Sequence, residues 1–326
     1  MVKIKKITAL LLASALLILP TSASAANVYG VVSNKWEASS STIQNAVLTD
    51  EGHILAEASN DFALLSTVNG ETMSKGKNKP MFPTKGMVKM TDGTIFIAGQ
   101  SGKWKVVDPY GDEISQGKLA DPRTPRFVKQ LSNENILLVH NSGYYTILNS
   151  SQELLRTGKW PNTWHINDTV ELANGNLLMV GDQGKYQVMS QQDGKVVNSG
   201  DWGSSKHHIY SIDKLSDNRM LAVGAGSKFI LFDKTGKKID NAELSDQENK
   251  NYKWDKVVGL ENQHALVISS TGVILLVQVD DKNHISVKAK TKISNYSSNG
   301  SVFKIADNQV FVTLTSGRFI IYQVDL

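Results

Sequence analysis

Short apolar runs separated by polar turns recur along almost the whole chain. A clear copy begins with Met87 to Met90, turns through Thr91, Asp92 and Gly93, and continues as the apolar run from Thr94 to Ala98. A second turn, Gly99 to Lys103, leads into Trp104 to Val107. These runs are too short for globular helices and are rich in Val, Ile, Leu and Phe, so they read as strands. The residue before the first turn is Leu48, Met90, Leu131, Leu172, Leu215, Leu260 and Ile305, at spacings of 42, 41, 41, 43, 45 and 45 residues. Each is followed by Asp, Asn or Gly, residues that accept the positive φ of tight hairpin turns.

The second strand of each unit, such as Ile136 to Val139, Leu177 to Val180 or Met220 to Val223, is apolar at every position. A strand with no polar face must be covered on both sides, which predicts burial between neighbouring sheets. A second turn rich in Ser and Gly follows, then a third apolar strand, then a more polar fourth strand after turns such as Asp193-Gly194. Four antiparallel strands at a period of 41 to 45 residues predict an all-β chain, a seven-bladed β-propeller of four-stranded antiparallel blades. The blades are expected near residues 43–80, 86–119, 126–160, 166–202, 209–244, 254–292 and 301–326, the last completed by 27–36.

That completion is needed because the chain ends at Leu326, just after a third strand. The segment Val31 to Trp36 resembles the fourth-strand endings Val196 to Trp202 and Leu154 to Trp160 with a one-residue gap. Tyr29 to Trp36 is therefore expected to pair with Phe319 to Val324 and close the ring, which protects the edges an open array would expose. These repeats resemble the WD40, Kelch and quinoprotein-like propellers over essentially all of the chain after residue 26. The resemblance is one of fold. The Gly-His and Trp-Asp dipeptides of WD40 repeats do not recur, and the Kelch double glycine is reduced to single Gly99, Gly181 and Gly224.

The N-terminus breaks the repeat pattern. Lys3, Lys5 and Lys6 precede an apolar run from Ile7 to Leu19, then Pro20 and the small residues ending at Ala26. This reads as a secretory signal peptide, residues 1–26, cleaved after Ala25 or Ala26, because the apolar run is too short to span a bilayer. The expected location is secreted or associated with the cell surface, with no membrane insertion after cleavage. The formal net charge of +4 includes those three lysines and no acid from the leader, so the rest carries +1. So little positive charge does not suit nucleic acid. With no cysteine, disulfides, thiolate metal sites and lipidated cysteines are excluded.

No enzyme motif is present. The chain lacks a Gly-x-Ser-x-Gly elbow, an Asp-x-Asp-x-Asp calcium loop and the sialidase Asp-box, and a cysteine-crosslinked tyrosine of the galactose-oxidase kind cannot form. Adjacent strand residues such as His207 and His208 point to opposite sides, so they do not chelate one ion together. Neither a metal site nor a cofactor is expected. Asp108 and Asp233, after third strands, read as acceptors for turn N–H groups, and Trp36, Trp160 and Trp202, at matching repeat positions, as blade packing.

The interblade connections carry further aromatic and basic residues, among them Phe82, His208, Tyr252 and Tyr296. Arg126, Trp164, His165, His207, Tyr210 and Trp254 are the candidate ligand-binding residues, expected to surround one mouth of the central channel, on the face that also holds His140 and Asp182. Such a rim suits a non-catalytic binding module for an extracellular glycan, peptide or protein. A hydrolase or lyase acting on glycans or lactones is the alternative, and a structural role in a coat or assembly a third. Mass spectrometry of secreted protein is expected to find Ala26 or Asn27 at the N-terminus; a chain still starting at Met1 would contradict the leader.

Overall fold

The computed structural model describes residues 26–38, 41–58, 61–76, 84–160, 164–202, 207–243, 252–296 and 300–326. Residues 1–25, which carry the expected leader, and Phe82 lie outside the described residues. Seven four-stranded antiparallel sheets form a β-propeller. Six follow chain order, and the seventh runs Asn27–Lys35, Arg318–Asp325, Gln309–Thr313, Val302–Ala306 from outer edge to centre. The first strands, Asn45–Leu48, Thr84–Lys89, Pro125–Gln130, Ile166–Glu171, Ile209–Lys214, Trp254–Gly259 and Val302–Ala306, are innermost. Most neighbours among them touch directly, and they line a central channel.

Burial follows the polarity of the strands. Ile95–Gly99, Ile136–His140, Leu177–Gly181 and Met220–Gly224 are buried at every position, whereas the outer strands Glu113–Lys118 and Leu154–Lys159 are largely exposed. The apolar faces meet between blades. One cluster joins Leu178, Val180, Tyr186 and Val188 to Ile209, Met220, Ala222 and Phe232 of the next blade. Each fully buried Leu, Ile or Phe contributes about 1.5–3 kcal/mol. No blade has a core of its own, so the ring is the folding unit.

Turn chemistry keeps the units in step. Met90, Leu131, Leu172, Leu215 and Leu260 close the first turn by donating N–H to the carbonyl four residues on, at 2.7–2.8 Å. In the first blade Thr49 does this, to His53, so the closing residue is one position later than Leu48. The second turns hold successive residues at positive φ, as in Ser142 (57°) and Gly143 (74°) or Gln183 (56°) and Gly184 (68°). The outer strand is locked to that turn. Trp36, Leu119, Trp160, Trp202 and Ile293 each donate their N–H to the turn glycine carbonyl of their own blade, at 2.7–3.1 Å. Gly184 is required twice over, because a Cβ there would lie 2.1 Å from the Trp202 indole.

Ring closure follows the expected pairing. Tyr29 faces Gln323, Asn34 faces Phe319 and Lys35 faces Arg318, with Val31 bulged out of the ladder. Trp36 ends this strand fully buried among Ile43, Ile54, Ala56 and Phe319, at the junction of the last and first blades. Trp160 and Trp202 are buried in equivalent clusters. Loss of Trp36 leaves a large cavity at the one junction made by the two ends of the chain. Trp36→Ala is expected to cost about 3–5 kcal/mol in urea denaturation, and removal of residues 27–36 to cost more and to aggregate through the bared Arg318–Asp325 edge. An unchanged melting temperature in the truncated protein would contradict this closure.

Candidate functional site

Five successive inner strands carry the same irregularity at their second residue. The ladder to the second strand slips between Thr84 and Gly86, Pro125 and Phe127, Ile166 and Asp168, Ile209 and Ser211, and Trp254 and Lys256. Lys85, Arg126, Asn167, Tyr210 and Asp255 are therefore bulged out of their ladders. A bulge frees one residue from the in-out alternation and re-aims its side chain, a common device beside binding sites and at barrel rims. Each bulged residue stands five positions before the turn-closing residue of its blade, and with Thr49 as that residue in the first blade Gln44 takes the same place.

This end of the ring also holds the second turns. Asp182 N donates to His165 O at 3.1 Å, Ala225 N to His208 O at 3.0 Å and Ser270 N to Lys253 O at 2.9 Å, so these three interblade connections are stitched to the second turns of the blades they enter. Connections, second turns and bulges thus share one face, around one mouth of the channel.

A polar chain crosses three blades there. Arg126 Nη2 donates to Asn167 Oδ1 at 3.0 Å, and Asn167 Nδ2 donates to Asp182 Oδ1 at 3.1 Å and to Ile209 O at 2.8 Å. His208 Nδ1 lies 2.9 Å from the same Asp182 oxygen. Burial pushes the Asp182 carboxyl up, but hydrogen bonds from His208 and Asn167 and the nearby imidazoles outweigh it, so its pKa lies below the ordinary carboxylate value. An ionised carboxylate only accepts, so His208 carries its proton on Nδ1 and, when neutral, leaves Nε2 as a free base. The His208 ring stacks on Tyr210 at 5.9 Å and 22°, and Lys253 Nζ stands 4.2 Å from the Tyr210 ring centre. Asp255, buried, accepts from the Tyr296 hydroxyl at 3.1 Å, and burial together with the Asp255 charge drives the Tyr296 pKa far up.

Of the six residues expected at the mouth, Arg126 and Tyr210 are there. Trp254 is not. It is fully buried within the apolar cluster of Leu215, Phe229, Ala265 and Val267, beside the Phe229 ring at 5.9 Å. Its place is the one before the bulge, filled elsewhere by Ile166 and Ile209, which point into the core. Trp164 lies on the same face but toward the perimeter, under Lys185 Nζ at 5.1 Å, and Lys185 is paired with Asp201 of the outer strand. His165 braces the preceding blade by accepting Ser142 N–H at Nδ1, 3.0 Å away. His207 packs edge-on to Trp202, whose Nε1 donates to the His207 carbonyl at 3.0 Å. His140 is buried with Nε2 2.9 Å from Thr146 Oγ1, and burial pulls its pKa down.

Lys85 and Asn167 are mouth residues beyond the six expected, and Asp255 holds the matching bulge position but is buried. Their signal is a column five positions before the turn-closing residue, polar or aromatic in every blade where the bulge occurs. Among the described residues no group of three or more His, Asp or Glu is placed to hold a metal ion.

Comparison with known proteins bears on the fold. No family model matches the chain, and no curated protein matches it. Among solved structures it is similar to virginiamycin B lyase from Staphylococcus aureus, with a TM-score of 0.74 and 11% identity over 92% of this chain and 99% of that one. The β-propeller domain of Swd1 from Myceliophteria thermophila aligns at 0.69 and 11%, over 92% and 100%. The WD40 repeats of RRP9 align at 0.72 and 10%, over 92% and 100%. The chain is a seven-bladed propeller-repeat protein, alike in fold to both lyase and WD40 propellers. The opposite settings of its two candidate tryptophans separate core from rim: Trp254→Ala is expected to cost about 3–5 kcal/mol, and Trp164→Ala less than about 1 kcal/mol, by urea denaturation. Equal losses would contradict the assignment of Trp254 to the core.

Proposed function

We propose that the protein is an exported, non-catalytic binding module that takes its ligand at the channel mouth formed by the bulged residues. One observation carries this reading: five consecutive blades break their ladders at the same place, and three of the residues so freed, Lys85, Arg126 and Asn167, line one cavity. Breaking a ladder sacrifices backbone pairing, and five losses at one level are accounted for by the side chains they re-aim. Behind the mouth lies a cavity of about 920 Å³, within the range of organic-ligand sites. An extracellular glycan or peptide suits donors and acceptors arranged in an arc across several blades. The WD40 neighbours favour an interaction role by analogy of fold.

A second reading rests on the Asp182–His208 pair, a carboxylate-oriented imidazole at the mouth. Three of the similar structures are lyases, one of them a catalytically inactive histidine-to-alanine variant of virginiamycin B lyase with quinupristin. On this reading His208 Nε2 takes a proton from the carbon beside a carbonyl, the C–H electron pair forms a C=C bond, and the β C–O bond of a lactone breaks to leave a carboxylate.

Asn167→Ala and Tyr210→Ala are each expected to weaken a ligand found by glycan, cell-wall and peptide arrays about tenfold, with circular dichroism and melting temperature near those of the parent. Binding that survives both changes would remove the mouth from consideration. If mass spectrometry instead shows turnover of quinupristin or a simple lactone that His208→Ala abolishes, the enzyme reading replaces the module.

A further inference from the structure

The charges around the channel fall into two groups that differ in how far the protein itself satisfies them. The acids belong to blades 4 to 6 and have donors. Asp168 accepts Lys129 Nζ at 2.7 Å, Ser211 Oγ at 3.0 Å and Ile212 N at 3.1 Å. Asp213 accepts the N–H groups of Lys214 and Gly259, both at 2.8 Å, and burial raises its pKa. Asp182 is held by Asn167 and His208, and Asp255 by Tyr296.

The cations are different. Lys85, Lys89, Arg126 and Lys256 line the cavity of about 920 Å³, and no Asp or Glu lines it. Lys89 is paired with Asp50. Lys85 makes no ion pair or hydrogen bond with any described residue, and Arg126 has only the Asn167 amide oxygen. Lys256 acts on Asp168 through space without an ion pair. The bulges put Lys85 and Arg126 at the mouth, and Lys256 follows the bulge of its own strand. Burial of the Arg126 guanidinium pulls its pKa below the ordinary value against the opposing pull of Asp182. Three cations facing one cavity focus a positive potential into it. Phe127 and Phe303, also in the cavity wall, offer apolar surface beside the cations.

We propose that the channel is an anion site, taking a ligand that carries two or more carboxylate or phosphate groups between Lys85, Arg126 and Lys256. The proposal rests on the binding reading of the same mouth and names the chemistry of its ligand. Guanidinium and ammonium groups bind either oxyanion through charge-assisted hydrogen bonds.

Isothermal titration calorimetry of the purified protein with tricarballylate and with inorganic pyrophosphate, and with maltotriose as the neutral probe, tests it. At least one anion is expected to bind, with affinity that falls as salt rises. Binding of tricarballylate alone assigns a carboxylate ligand, and of pyrophosphate alone a phosphate ligand. Lys85→Gln and Lys256→Gln are each expected to weaken that binding about tenfold. Lys234→Gln, in the exposed Asp233–Lys237 turn at the other face, is expected to leave it unchanged. The proposal is overturned if neither anion binds at about 10 mM, if both channel variants bind like the parent, or if Lys234→Gln weakens binding as much as they do. Array ligands that are lost with Asn167→Ala but retained by a Lys85→Gln, Lys256→Gln protein would overturn the anion site while leaving the mouth as the binding site.

Discussion

Everything in this molecule depends on the fact that no blade can bury its own middle strands. Ile95–Gly99, Ile136–His140 and their counterparts are covered at every position, and the cover comes from adjacent sheets through clusters that straddle two blades. A linear array of such sheets would leave one apolar face bare at each end. Closure removes both ends at once, and the strand Asn27–Lys35 is the element that achieves it, by completing the seventh sheet from the other end of the chain.

Closure also creates the channel, and the channel imposes a different requirement on the inner strands. Their neighbours at the axis are other first strands, which converge as the ring tightens. Side chains there cannot simply alternate between core and solvent. The bulges at Lys85, Arg126, Asn167, Tyr210 and Asp255 resolve the conflict by taking one residue out of each ladder, so that the residue before it stays buried while the freed one is released from the alternation. Trp254 and Asp255 show both outcomes side by side: the indole is fully buried beside Phe229, and the next side chain pairs with Tyr296 from the following connection.

The mouth is therefore a product of packing before it is a product of chemistry, which explains its uneven electrostatics. On blades 4 to 6 carboxylates are tied into hydrogen bonds that cross from one inner strand to the next, as Asp168 does to Ser211 and Ile212, and Asp213 to Gly259. These bonds brace the ring where acids line it. Blades 2 and 3 present Lys85 and Arg126 without a carboxylate within ion-pair distance among the described residues. The same fold thus spends one set of charges on its own construction and leaves another facing an open space, a division visible only by following each polar atom to its partner.

Fold and blade order were legible in the sequence because their causes are local. Short, continuously apolar runs, turn residues that accept positive φ, and a spacing of 41 to 45 residues between the residues before the first turns are features of the linear sequence, and they predict the seven sheets and the pairing of Tyr29–Trp36 with Phe319–Val324. Only Arg126 and Tyr210 of the six expected rim residues lie at the mouth, for the opposite reason. Whether Trp254 faces the mouth or the core, whether His207 reaches the channel or packs on Trp202, and whether Lys85 has a partner are set by one-residue slips in strand pairing and by side chains about 40 residues or more away. A slip of one residue reverses the face on which a side chain emerges. Composition is blind to such a slip, and only the assembled ring decides it.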